Sequence, residues 1–250
     1  YTVHADVTDA TGETRSSQRY VNVGYTALKA ALSADEWQDA AKPVEIGVST
    51  QTLDGEGQAA EVTVKVHKLK APERVQRARL QGAHPYWRHG AAATVKPVPD
   101  LSDPNSWALG EVVDEQTLKT LPDGSGVLSV KLKPGLYRAV LATQDRFKKE
   151  VSALLPIRVV DIKARTCRLR VPSVVAAPAW SLQPGDSFTA LWGSGYETAR
   201  AYIEIEHRGK MLRAFWSDTE RTQEVIEQTV TEAMRGGFTL HVTQLRENRA

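Results

Sequence analysis

An aromatic residue opens an alternating strand pattern at three places in this chain, and a turn and a glutamate follow each time at a similar offset. The three segments are Tyr1–Glu13, Tyr137–Glu150 and Phe238–Glu247. They start 136 and 101 residues apart, which is close to the size of one β-sandwich, ~100 residues. Recurrence at this spacing predicts an all-β chain of tandem antiparallel β-sandwiches of the immunoglobulin or fibronectin-III type.

The same recurrence divides the chain into three units. Residues 1–24 are expected to be the closing hairpin of a truncated sandwich, because the first copy stands at the start of the sequence. Residues 25–161 are expected to form a sandwich with a long Pro-rich loop inserted at 72–107. Residues 162–250 are expected to form a sandwich that lacks its last strand. We therefore interpret the chain as a segment of a longer array.

Charge and composition narrow the classes of partner. The chain has 32 Lys and Arg against 30 Asp and Glu, a net charge of +2, which is too balanced for the basic surface that nucleic-acid backbones require. No run of apolar residues is long enough to cross a bilayer. We therefore expect neither nucleic-acid nor membrane contact by this segment. The 41% hydrophobic and 25% charged residues are typical of a globular chain.

Apolar residues recur at every second position in the middle unit, as in half-buried strands. Val44, Ile46 and Val48 share one face of the first run, and Val62, Val64 and Val66 share one face of the second. The Gly-rich turn Asp54–Gly57 separates the two runs. Two such runs across a short turn predict an antiparallel pair.

The last unit repeats this pattern. Phe188, Ala190 and Trp192 alternate on one predicted strand, and Ala201, Ile203 and Ile205 alternate on the next. The turn His207–Lys210 is predicted to lead back into a strand at Met211–Trp216.

Two segments fit a helix as well as a strand. Leu28–Ala41 is Ala-rich without turn residues, and Asp218–Met234 has an N-cap candidate at Asp218 and a glycine, Gly236, beyond its end. The local pattern alone permits a helix at both places. The repeat favours strands, because a seven-strand sandwich needs them.

The histidines do not form a constellation that could hold a metal. His4, His67 and His241 each lie singly on the polar face of a predicted strand, where a solvated side chain is the ordinary state. His84 and His89 lie in the long loop without a nearby Cys or carboxylate. A metal needs three or four ligands in fixed geometry, so no metal site is predicted.

The remaining motifs also lack the spacing that chemistry requires. Gly193–Gly195 does not have the spacing of a nucleophile elbow, and Gly55–Gly57 lacks the third glycine and the helix of a dinucleotide loop. Asp6, Asp9 and Glu13 do not follow the twelve-residue calcium pattern. The sequence therefore predicts no catalytic residue, no cofactor site and no enzyme.

Two surface features remain open to more than one interpretation. The last unit contains Trp180, Trp192 and Trp216, which would form a platform for sugars if exposed and would fill the core if buried. The long loop contains a basic cluster of Arg74, Arg77, Arg79 and Arg88. This cluster is either a docking site for an acidic partner or a solvated basic loop.

Several segments carry a resemblance to a known family. They are Val7–Arg15, Leu136–Ala139, Trp180–Asp186, Trp192–Gly195, Ile203–Lys210, Val230–Gly237 and Val242–Arg249. In order and spacing they resemble the bacterial branch of the alpha-2-macroglobulin proteins. The first two are similar to closing hairpins of macroglobulin-like domains, and the other five to the segment termed the bait-region domain. The resemblance covers most of the chain apart from the 72–107 loop.

The resemblance implies a non-catalytic structural segment of a protease-trapping endopeptidase inhibitor. In that family a protease cuts an exposed bait stretch, the molecule rearranges and the attacker is caged. The implied partners are target proteases and neighbouring macroglobulin-like domains, and the implied location is the periplasm or cell envelope, with a membrane anchor upstream of Tyr1 as one option. The family's Cys-x-Glu-Gln thioester cannot be carried over to Cys167, the only cysteine, because Arg-Leu-Arg follows it. For Asp218–Met234 the resemblance implies strand and loop.

The rival interpretation from another class is an extracellular adhesion or glycan-binding array, in which the Trp-rich last unit would bind sugar. Two physical expectations accompany either function. The hairpin at 1–24 should pack on the middle unit or pair with the open edge at Phe238–Thr243 in a neighbouring molecule. The 72–107 loop should be the first place that a protease cuts.

Overall fold

The computed structural model describes residues 1–78 and 99–246. In that part of the chain the regular structure is fifteen antiparallel β-strands and two 3-10 turns, Pro104–Ser106 and Glu232–Met234. The strands form one hairpin and two β-sandwiches, so the predicted all-β fold class is confirmed. Among the described residues no helix has the length and hydropathy needed to cross a membrane.

The first element is a two-stranded hairpin of β1 (Thr2–Thr8) and β2 (Thr14–Tyr20). Every residue in 1–24 is exposed, so neither face of the hairpin packs on the middle unit, contrary to one of the two expectations. The contact lies at its base, where the Asn22 side-chain amide donates to the Leu53 carbonyl at 3.3 Å. A two-stranded hairpin buries too little apolar surface to cover itself, and this one leaves its apolar face open.

The middle sandwich has seven strands in two sheets. One sheet has the order β3-β4-β7, with β3 at Lys29–Ser33, β4 at Val44–Gln51 and β7 at Ser125–Val130. The other has the order β6-β5-β8-β9, with β5 at Glu61–Leu69, β6 at Leu109–Lys119, β8 at Gly135–Gln144 and β9 at Glu150–Val159. This is a fibronectin-III-like arrangement with Greek-key connections.

The predicted inward faces are correct, but the predicted pairing of β4 with β5 is wrong. The valines and isoleucine of both strands are buried in one core, yet β4 pairs with β3 and β7, whereas β5 pairs with β6 and β8. The turn after β4 therefore crosses between the sheets. Alternation reports only which face of a strand is apolar, and two strands that face each other across a sandwich show the same pattern as two that pair.

A buried tyrosine fixes the corner that leads into β8. The Tyr137 hydroxyl donates a 2.9 Å hydrogen bond to the Lys133 carbonyl four residues upstream, which is the arrangement of a tyrosine corner. Gly135 lies under the ring, where a Cβ would come within 3.2 Å of it. Burial, together with the charge of Glu111, raises the pKa of Tyr137, so the hydroxyl keeps its proton and remains a donor.

The last sandwich has six strands among the described residues. One sheet has the order β10-β11-β14, with β10 at Val174–Ala176, β11 at Ser187–Gly193 and β14 at Gln223–Thr229. The other has the order β13-β12-β15, with β12 at Arg200–His207, β13 at Lys210–Trp216 and β15 at Thr239–Leu245. The alternating residues of β11 and β12 are buried, as predicted.

The turn between β12 and β13 is the one that the sequence indicates. Its two central residues, Arg208 and Gly209, have φ values of 51° and 76°. Positive φ at both central positions is the geometry of a two-residue type I′ hairpin, whose twist matches that of the strands it joins.

The recurrence that the sequence shows is also a recurrence of geometry. Asp9 and Asp145 lie 136 residues apart, and each closes a turn of the same geometry. In both, the aspartate N–H donates at 2.9 Å to the carbonyl four residues on, and the carboxylate accepts from the N–H groups two and four residues on. Gly12 and Lys148 have positive φ, 87° and 60°, at equivalent positions. The hairpin of β1 and β2 thus ends like that of β8 and β9.

The two ambiguous segments are not helical. Leu28–Ala41 contains β3, and Asp218–Met234 contains β14 followed by one 3-10 turn. The helical alternative is therefore wrong at both places. Tertiary context decides such segments: each strand completes the edge of a three-stranded sheet and covers a core.

The long loop is described only in part. Residues 79–98, with His84, His89, Arg79 and Arg88, lie outside the described residues. The end of the loop is packed, because Trp107 is buried and its indole N–H donates a 2.9 Å hydrogen bond to the Leu101 carbonyl. Early proteolysis of this loop stays a prediction.

Candidate functional site

The histidines that the sequence singles out lie apart from one another. His4 lies on the exposed hairpin, His67 lies on β5 with its Nδ1 3.3 Å from the Gly110 carbonyl, and the His241 imidazole lies 3.4 Å from the Glu206 carboxylate. Within residues 1–78 and 99–246, no group of three His, Cys, Asp or Glu side chains could hold a metal ion. The described histidines have no shared site.

Cys167 is a buried free thiol. Burial raises its pKa, and since the thiolate is the reactive form, this environment suppresses nucleophilic chemistry. Its backbone N–H donates a 3.1 Å hydrogen bond to the Thr222 hydroxyl. Cys167 therefore has a structural role, in the contact between the two sandwiches.

That contact, here named the joint, is an apolar cluster shared by both sandwiches. The middle sandwich contributes Leu69, Trp107 and Val160, and the last sandwich contributes Cys167, Leu169, Val171, Val174 and Leu191. All eight are buried. Apolar area removed from water stabilises a contact by about 25 cal/mol per Å², so the joint resists opening in the same way as a domain core.

Hydrogen bonds from the last sandwich hold the segment that follows β9. The side-chain amide of Gln223, at the start of β14, donates to the carbonyls of Asp161 and Ala164 at 2.6 and 3.0 Å. The backbone N–H of Thr222 donates to the Arg165 carbonyl at 3.1 Å. The segment that leaves β9 is thus held by the second sandwich as soon as it leaves the first.

The middle sandwich holds the same segment from the opposite side. The Ala40 N–H donates to the Val160 carbonyl at 2.8 Å, and the Val160 N–H donates to the Gln38 carbonyl at 2.9 Å. Exposed ion pairs add to the outer rim, where Arg165 lies 3.6 Å from Asp218. Such exposed pairs contribute little, roughly 0–1 kcal/mol, so the joint depends on apolar packing and on buried hydrogen bonds.

The three tryptophans of the last unit have different environments. Trp192 is fully buried in the core of the sandwich, so it has no part in a sugar platform. Trp216 lies on β13 with the Arg200 guanidinium 4.9 Å from its ring centroid. Trp180 is 59% exposed and packs on Phe188 with 5.8 Å between ring centroids.

Trp180 forms one wall of a groove of about 360 Å³ at one end of the last sandwich. Phe188 and Phe238 line its floor, with their rings edge to face at 5.2 Å. Gln183 and Arg235 lie at the rim. Concave surfaces that combine aromatic side chains with polar groups are the usual form of a ligand site, so the rival interpretation would place sugar binding in this groove.

Comparison with known proteins gives no family. No protein-family model matches the sequence, and no curated protein matches it either. Among solved structures, a tetra-tandem repeat from the extending region of a large adhesion protein is 12% identical, with a TM-score of 0.30 over 100% of this chain and 53% of that one.

Two further structures have similar values. Escherichia coli alpha-2-macroglobulin activated by porcine elastase is 10% identical, with a TM-score of 0.33 over 98% of this chain and 24% of that one. A 1.5-MDa bacterial ice-binding adhesin is 9% identical, with a TM-score of 0.29 over 97% of this chain and 72% of that one. The chain thus spans about half of the first structure and a quarter of the macroglobulin. Values this low do not assign the chain to either kind of protein.

Sequence reasoning missed the joint. Gln223 and Trp107 have no local signal, since a glutamine at a strand start and a tryptophan after a Pro-rich loop occur in many contexts. The one available signal is the alternation of Cys167, Leu169 and Val171 outside any predicted strand, which indicates a buried extended segment.

Proposed function

We propose that this chain is a non-catalytic structural segment of a bacterial alpha-2-macroglobulin-like protease trap, an endopeptidase inhibitor of the periplasm or cell envelope. Its partners are target proteases, through the full-length protein, and neighbouring macroglobulin-like domains. The resemblance of the seven sequence segments favours this family. The observation that carries a mechanical role is the joint, because a buried apolar cluster and a doubly held linker make two sandwiches into one body.

A trap needs such bodies. A cut in an exposed bait stretch is useful only if released strain moves whole domains, and domain motion is concentrated at hinges while packed interfaces resist deformation. The joint favours a stiff pair, so the contact between these two sandwiches is not the place of motion. The chain after β2, residues 21–25, is better suited to a hinge, because all of its residues are exposed.

The test uses the full-length protein that contains this segment, incubated with proteases of several specificities. A caged protease keeps its activity on a small chromogenic peptide and loses its activity on a large protein substrate, since only the small substrate diffuses into the cage. The proposal expects this split, with cleavage of the inhibitor at one exposed stretch. Equal loss on both substrates, or no loss on either, would reject a trap.

A second candidate is an adhesion or glycan-binding array, and the Trp180 groove is the observation that favours it. Aromatic rings beside polar rim groups suit a sugar ring, whose faces are apolar and whose edge is polar. Binding to a panel of bacterial polysaccharides, measured for the parent chain and for Trp180→Ala, tests this candidate. Trp216→Ala is the matched control, because Trp216 is also exposed but lies outside the groove. Binding that Trp180→Ala loses and Trp216→Ala keeps would favour the array.

A further inference from the structure

Three arginines that are far apart in the sequence meet in one cleft. Arg74 follows β5 of the middle sandwich, Arg170 lies between the joint residues Leu169 and Val171, and Arg246 follows β15. The cleft, here named the arginine cleft, has a volume of about 430 Å³. Tyr196 and Thr198 also line it. Both sandwiches therefore contribute to it.

The walls of the cleft are held in place by buried groups. Arg170 points outward because Leu169 and Val171 on either side of it are buried. Gly195 lies so close to this segment that a Cβ would stand 1.9 Å from the Leu169 carbonyl oxygen. The Ser194 hydroxyl donates to the Pro172 carbonyl at 2.7 Å. The backbone that carries Arg170 is thus fixed before any ligand binds.

Arg246, the third arginine, is held by Tyr196 and by the end of β15. The Arg246 guanidinium stacks on Tyr196, 4.2 Å from the ring centroid, and the end of β15 is tied to the same segment by the 3.0 Å hydrogen bond from Gln244 to the Pro172 carbonyl. Stacking of this kind orients a guanidinium and leaves its edge N–H groups directed away from the ring. Arg246 is thus held at the edge of the cleft by Tyr196.

Positive side chains outnumber negative ones in the described lining of the cleft. Among the described residues its lining has three arginines and one acid, Glu197. Within the described residues, neither Arg74 nor Arg170 forms an ion pair, whereas Arg165, Arg221 and Arg235 each pair with an acid. A fixed cluster of like charges at close range is unfavourable unless a counter-charge is present.

We propose that the arginine cleft binds an acidic peptide segment, with side-chain carboxylates on the guanidinium groups of Arg74 and Arg170. The cleft, with a volume of about 430 Å³, has room for a segment larger than a single small oxyanion. The mixed lining also favours a peptide, because Val75 and the Tyr196 ring offer apolar contact to the carbon stems between carboxylates. Glu197 limits the number of carboxylates that the cleft accepts.

The test measures binding of an N-acetylated hexaglutamate peptide to the 250-residue chain by calorimetry at about 10 mM salt, where the screening length is about 30 Å. The variant is Arg74→Gln/Arg170→Gln. Its control is Arg15→Gln/Arg19→Gln, which removes the same charge from the exposed hairpin. The cleft variant should weaken binding about tenfold or more, because it removes charge-assisted hydrogen bonds, and the control should weaken it less than about twofold.

Each other outcome overturns the proposal. Equal weakening by both variants would show attraction to net charge alone, and failure of the parent chain to bind hexaglutamate would exclude the site. If inorganic phosphate displaced the peptide at equal concentration, the cleft would be a small-oxyanion site. The variants change exposed side chains, so unchanged thermal unfolding is expected and separates loss of binding from loss of fold. Glu197→Gln should strengthen binding about twofold, because it removes the opposing charge.

Discussion

The side-chain amide of Gln223 donates a 2.6 Å hydrogen bond to the carbonyl oxygen of Asp161, and a second one, of 3.0 Å, to that of Ala164. The donor lies on β14 of the last sandwich, and the acceptors lie where the chain leaves the middle sandwich. Both sandwiches are thereby joined through one buried polar side chain. Gln223 is 3% exposed, so this position is sensitive to substitution.

Gln223→Ala should lower the free energy of unfolding by about 1–3 kcal/mol, because it removes two hydrogen bonds of a buried side chain. Urea denaturation followed by tryptophan fluorescence measures the change. Gln228→Ala is the matched control on the same strand, since the Gln228 amide bonds only the adjacent Thr229 carbonyl among described residues, in exposed surroundings, and it should cost less than about 0.5 kcal/mol. Equal effects would mean that Gln223 does not hold the joint.

Tyr137→Phe should destabilise the middle sandwich by about 1 kcal/mol, since the variant keeps the ring and deletes the hydrogen bond to the Lys133 carbonyl. The midpoint of thermal unfolding measures this loss. Tyr20→Phe removes a hydroxyl from the exposed hairpin and should leave the midpoint unchanged. An unchanged unfolding midpoint for Tyr137→Phe would contradict the stabilising role of the tyrosine corner.

The lowered pKa of Asp145 predicts how the stability of the fold depends on pH. The Ala27 N–H donates to its carboxylate at 2.8 Å, and this bond, together with those from Lys149 and Phe147, holds the pKa of Asp145 below its usual range against the opposing effect of burial. Because the folded pKa is lower than the unfolded one, the carboxylate contributes stability that is present above pH ~4 and is lost as the pH falls through the folded value.

Asp145→Asn should therefore lower the urea midpoint at pH 7 and make its decline between neutral and acidic pH shallower. The same turn in the hairpin provides the control, because Asp9 makes the local bonds without a distant partner like Ala27. Asp9→Asn should leave the unfolding of both sandwiches unchanged at every pH. A parallel acid profile for parent chain and Asp145→Asn would contradict this account.

The exposed hairpin predicts association between molecules. Val3 and Val7 are 53% and 69% exposed on one face of β1, and β15 is an edge strand of its sheet within the described part of the chain. Apolar strands and open edges pair with other chains when nothing covers them. Sedimentation should detect concentration-dependent association that Val3→Lys/Val7→Lys abolishes and that Thr2→Lys/His4→Lys, on the opposite face, retains. A monomeric parent chain at all concentrations would be the contrary result.

Much of the fold follows from the sequence, because burial on a strand has period two. The alternation at Val44, Val62 and Ile203 correctly predicts three inward faces, and the recurrence that starts at Tyr1 predicts the turn that Asp9 and Asp145 share. Pairing across sheets could not be predicted in the same way, since the face pattern of a strand does not specify its neighbour.

The joint and the arginine cleft could not be predicted, and the reason is again physical. Both arise where the two sandwiches meet, so their members are distant in sequence and each is ordinary in its local context. Arg74 was visible as part of a basic loop, but Arg170 and Arg246 lie about one and two sandwich lengths away. Only the packing of the sandwiches brings these side chains together.

Native-state hydrogen exchange of the Val160 amide tests the central claim, that the two sandwiches act as one body. Val160 belongs to the joint and its amide bonds the Gln38 carbonyl of the middle sandwich, and Val48 and Ile226 lie in the cores of the two sandwiches. The account predicts that Val160 opens with the same free energy as these two core amides, within about 1 kcal/mol. An opening free energy for Val160 several kcal/mol below both cores would show that the joint opens by itself, and would contradict the claim.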